Sequence, residues 1–114
     1  MIRALEGLTP EWYEPAGQAG DDKTSFHIRP LDGAEFGEVA DGVKFTDNGT
    51  AFIGHQARDR CLTLALLGWK GFSSLNGELP FTRANMRLIP HETRVAIVNR
   101  ILAISTLDGE QEKN

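Results

Sequence analysis

The chain has 114 residues, of which 40% are hydrophobic and 25% charged, the proportions of a single globular domain with one core. Its formal net charge is −4, with lysine and arginine spread along the chain. That argues against general nucleic-acid binding, which needs concentrated basic charge, while leaving room for a small basic face. No apolar run reaches the ~18 residues of a membrane span, since the longest, Cys61 to Trp69, is broken by Thr63 and Gly68.

Met1 to Glu6 lack the basic region and apolar stretch of a signal peptide, so a cytoplasmic location is expected. Residues 1–24 are poor in core formers and carry Pro10, Pro15, Gly7, Gly17, Gly20 and Asp21-Asp22; they read as an irregular or mobile N-terminal arm. Trp12 and Tyr13 are the exceptions. Large aromatics bury something, so this pair is expected to pin the arm onto the domain or onto a partner.

Ser25 to Leu31 reads as a strand with Phe26 and Ile28 on one face, and Pro30 places it at a strand end or sheet edge. Asp32-Gly33-Ala34-Glu35 has the form of a helix N-cap with a capping box, predicting a short helix to about Ala40. Val43, Phe45, Phe52 and Ile53 flank Asp47-Asn48-Gly49, the pattern of a hairpin or a loop resembling one.

A buried helix is expected from His55 to about Leu67, with Ala57, Cys61, Leu64 and Ala65 on one face and Leu62 and Leu66 widening it. Gly68 to Phe72 break that pattern, and a loop with Asn76-Gly77 follows. Thr82 suits the N-cap of a short helix over Arg83 to Leu88. Pro90 suits the first turn of a last helix, which is expected to run to Ser105 with Val95, Val98, Ile101, Leu102 and Ile104 as its stripe. Residues 108–114 hold no apolar residue and read as a disordered tail. Four helices with a small antiparallel sheet or hairpin, in one domain over 1–114, make the class α+β.

Residues that carry chemistry are scattered. His27, His55 and His91 fall in no metal-ligand spacing; His55 and Asp59 could share a helical face, but a third ligand would have to come from elsewhere. Ser73-Ser74 has no base nearby, and the twelve glycines form no phosphate loop. Cys61, the single cysteine, reads as a buried small hydrophobe, with Arg58 and Arg60 the features that would favour a reactive thiol. The reading is therefore non-enzymatic, without metal or cofactor. Trp69, Phe72 and Phe81 cluster around two turns, where they either close the core or present an anchor to a partner. The glycines around Trp69-Lys70 favour an outward Trp69 and Phe72, with Phe81 inside; Trp12 and Tyr13 are the next candidate anchors.

Gly68-Trp69-Lys70-Gly71-Phe72, then Asn76-Gly77-Glu78, then Leu79-Pro80-Phe81-Thr82 with Asn85, and a charged end in Lys113-Asn114 together resemble the tail assembly chaperones of siphophages and Mu-like transposable phages. The strand Phe26-x-Ile28-x-Pro30-Leu31 looks like the opening of such proteins. The resemblance spans residues 25–114 in outline and is most specific over 68–85. It implies a chaperone that binds the tape measure protein, keeps it soluble in the host bacterial cytoplasm, recruits tail tube subunits as a further partner, and is absent from the finished virion. The competing expectations are another small phage protein, a head–tail connector component or an inhibitor of a host factor, and, further off, a metal-dependent or enzymatic role.

Overall fold

A computed structural model describes residues 9–113, with side chains placed through Thr106. Its elements run β1 (Glu11–Tyr13), β2 (Ser25–Ile28), α1 (Gly33–Ala40), β3 (Val43–Phe45), β4 (Ala51–Ile53), α2 (His55–Ala65), β5 (Leu66–Lys70), β6 (Ser73–Ser74), β7 (Gly77–Glu78), α3 (Arg83–Met86) and α4 (His91–Lys113). The class is α+β, with four helices among the described residues.

The main sheet has the antiparallel order β1-β2-β5. Alternation divides it: Phe26, Ile28, Leu66 and Trp69 are buried, while Trp12 and Lys70 face out. The apolar face packs on α2 and α4, where Cys61, Leu62, Ala65, Ile97, Val98 and Ile101 complete the core. Between Phe26↔Trp69 and Ile28↔Leu66 the register shifts, and Leu67 is the extra residue, pushed outward as a bulge.

The capping box at Asp32 forms as its spacing predicts. Asp32 Oδ1 accepts from Glu35 N at 2.8 Å and Glu35 Oε1 from Asp32 N at 3.0 Å. Arg29 adds a two-pronged hydrogen bond to the Glu35 carboxylate, both contacts 2.8 Å, so α1 is fastened to the end of β2. Leu31 N donates to the buried Ser105 Oγ at 2.8 Å, which fastens α4 to the same point. Gly42 brings the end of α1 so close to α2 that a Cβ there would stand 2.2 Å from Ala57 Cβ.

Three expectations are corrected. The N-terminal arm is not irregular throughout, because Glu11–Tyr13 add an edge strand to the sheet, Trp12 opposite His27. Helix α2 stops at Ala65 and the chain turns directly into β5: Leu66 takes extended angles, and the unpaired edge of β2 offers a ladder with Trp69 opposite Phe26. The run over Gly68–Phe72 is thus largely strand, and tertiary pairing overrides local pattern. The last helix continues past Ser105 to Lys113; Glu110-Gln111-Glu112-Lys113 are good helix formers with no proline to stop them.

Candidate functional site

The expected anchors separate by depth. Trp69 is turned inward and only 9% exposed. Its Nε1 donates to Leu79 O at 2.8 Å, and its ring meets Phe72 edge-on at 4.9 Å and Phe81 at 4.8 Å between centroids. The alternation of β5 dictates this, since Trp69 shares a face with the buried Phe26 across the ladder. An outward Trp69 is therefore corrected, and so is the inward Phe81, which closes the far side of Trp69 and remains 40% exposed. Phe72 and Tyr13 are partly buried against the core.

Trp12 is the one of the four expected anchors that is exposed, at 45%. Its ring lies flat on His27, 4.6 Å between centroids with an 11° interplanar angle. Lys70 Nζ sits 4.3 Å from the ring centroid, a cation–π contact. Trp12 thus lies over the outer face of the sheet, held by His27 and Lys70, and stays close to half exposed.

The larger apolar display lies on the hairpin that the sequence predicts around Asn48-Gly49, a segment given no binding role there. The β3–β4 hairpin carries Phe45, 70% exposed, and Phe52, 45% exposed. Lys44 lies opposite Phe52 and Phe45 opposite Ala51, so the two rings project from opposite faces. The turn is closed by Thr46 N to Thr50 O at 2.9 Å and by Gly49 at φ 82°. The base is held by Gly54 N to Gly42 O and by Arg58 donating to Ile53 O, each 3.0 Å. Between β4 and α4 lies a groove of about 200 Å³ lined by Ala51, Phe52, Ile53, Val95 and Val98, with Arg58 and Asn99 at its polar margin. A signal for this was present: Phe52 and Ile53 are adjacent, so in a strand only one can face the core.

His55 and Asp59 do share a helical face, Nε2 to Oδ2 3.2 Å. The third group that reaches Asp59 is the cation Arg94, which also donates to Met86 O at 2.9 Å. Among the described residues no group of three or more His, Cys, Asp or Glu side chains is placed to hold a metal ion. These residues instead line a wider cleft, of about 620 Å³, between α2, α3 and the start of α4. Of its apolar lining Leu62 and Ile89 are buried in the core and Met86 is partly exposed, with Arg83, Arg87 and His91 also in the lining.

Cys61 is fully buried, and burial pushes its thiol up to about 12, only partly opposed by Arg29. No described helix is long and apolar enough to cross a membrane. Comparison with protein-family models, with curated protein sequences and with solved structures finds no match for this chain.

Proposed function

We propose that the chain is a tail assembly chaperone that holds the tape measure protein of its phage in solution until the tail tube assembles around it. The observation that carries the reading is the β3–β4 hairpin, which displays Phe52 in an apolar groove and Phe45 on its other face, on an otherwise acidic molecule. The run from Gly68 to Asn85 that resembles such chaperones adds to it.

Long amphipathic helices are recognised by laying their apolar stripe into an apolar groove. A groove of this size takes one or two side chains of a helix, so each contact is weak. Many copies along one long client then hold it by avidity, and the polymerising tube can displace them one at a time. Phe45 and Phe52 replace Trp69 and Phe72 as the principal anchors, with Trp12 as the secondary one. The role needs neither catalysis nor cofactor.

The test is co-expression with helical segments of the tape measure protein encoded in the same genome. The reading expects at least one segment to become soluble and to co-purify with the chain, and expects the chain to be missing from purified virions. Segments that stay insoluble, or stoichiometric chain in the virion, would refute it; the second result is what a connector component gives.

A further inference from the structure

The cleft between α2, α3 and α4 shares no lining residue with the hairpin groove. Two of its three arginines are uncommitted. Arg94 is engaged by Asp59 and by Met86 O, whereas among the described residues the side chains of Arg83 and Arg87 have no ion-pair or hydrogen-bond partner. They stand four residues apart, one at the start of α3 and one at its C-cap, a spacing that sends both side chains to the same side. The one carboxylate in the lining, Asp59, is already shared by Arg94 and His55. A chain of formal charge −4 therefore carries a local patch of positive charge beside the partly exposed Met86.

That combination selects a particular occupant. Guanidinium groups are weakly hydrated and pair bidentately with carboxylates. Arg83 and Arg87 stand exposed, so they bind an anion at the mouth of the cleft rather than deep inside. A bare inorganic anion held there would leave most of the roughly 620 Å³ cleft and the partly exposed Met86 in water. An apolar side chain flanked by carboxylates satisfies both parts.

We propose that this cleft is a docking site for an acidic protein segment that seats an apolar residue on Met86 and places its carboxylates against Arg83 and Arg87. The site is independent of the hairpin and stands whether or not the hairpin binds a tape measure protein. The acidic surface of the rest of the chain repels such a segment, so the patch fixes where and in which orientation it lands.

The probes are three synthetic amphipathic peptides of equal length, patterned with leucine and glutamate, leucine and glutamine, or leucine and lysine, titrated into the full chain and followed by backbone amide NMR shifts. The glutamate peptide is expected to shift the amides of Arg83 to Leu88 and His91 to Arg94. It should bind about tenfold more tightly than the glutamine peptide at low salt and lose that advantage as salt rises. Arg83→Glu with Arg87→Glu should abolish the preference, and Arg83→Gln with Arg87→Gln should reduce it; both pairs should melt as the parent does. Phe45→Asp with Phe52→Asp should leave the preference intact. Equal binding of the glutamate and glutamine peptides would overturn the proposal, as would shifts that map elsewhere. Displacement of the glutamate peptide by inorganic phosphate at equal concentration would also overturn it, showing a simple anion site.

Discussion

Single residues already report on the electrostatics of this fold. The bidentate bond from Arg29 holds the Glu35 carboxyl down to about 2, against desolvation, with help from the Asp32 backbone N–H. The folded value lies below the ordinary 4.5. Glu35 therefore stabilises the fold fully above about pH 4.5 and progressively less as pH falls toward 2. Glu35→Gln should cost about 1–2 kcal/mol at neutral pH, a figure reduced for the pair's partial exposure. The gap from the parent should close near pH 2; a gap that stays constant in urea melts across this window would show that the ion pair contributes nothing. Cys61 makes the complementary case. With its thiol raised to about 12 by burial, it should resist a thiol-labelling reagent in the native chain and react at once in denaturant. Rapid labelling of the folded protein would show that the α2 face opens readily.

At the level of elements, α2, β5 and α4 meet on β2, and their junctions decide stability. Trp69 joins β5 to the loop before α3 through its hydrogen bond to Leu79 and its ring contacts. Trp69→Ala should cost about 3–5 kcal/mol, as expected for a large buried aromatic. Phe81→Ala, which removes a partly exposed ring, should cost less than half as much, and thermal melts that reverse this order would return Trp69 to the surface. Ser105→Ala leaves the buried Leu31 N–H without an acceptor and should cost about 1–3 kcal/mol; an unchanged melting temperature would mean that α4 is fastened elsewhere. Much of this was legible in the sequence. The capping box at Asp32, the Asn48-Gly49 hairpin, the Thr82 cap and the buried stripe of α4 follow from local chemistry. Strand β5 was not legible, because Leu66 and Trp69 continue a helical apolar spacing and only the edge of β2 makes them a ladder. The expected outward Trp69 rests on the flanking Gly68 and Gly71, and the ladder opposite Phe26 turns it inward instead. Arg83 and Arg87 lie at helical spacing in plain view, but only the arrival of α2 and α4 turns them into the lining of a cleft.

The whole molecule is an acidic chain with one tightly packed core and two separate surfaces that the core leaves uncovered. The hairpin presents aromatic rings on a short two-stranded arm, and the cleft presents arginines beside Met86. A two-stranded hairpin gains little stability by itself, so rings projecting from both of its faces are better explained by binding than by folding. The most direct test compares the parent chain with a Phe45→Asp, Phe52→Asp variant in calorimetric titration against a soluble segment of the phage's tape measure protein. The melting temperature of each should be recorded alongside. The proposed function predicts that the variant melts as the parent does and binds at least about tenfold more weakly, a loss of about 1.4 kcal/mol. Equal affinity of the two chains would remove the hairpin from the interface, and a parent chain that ignores every segment would contradict the chaperone reading itself.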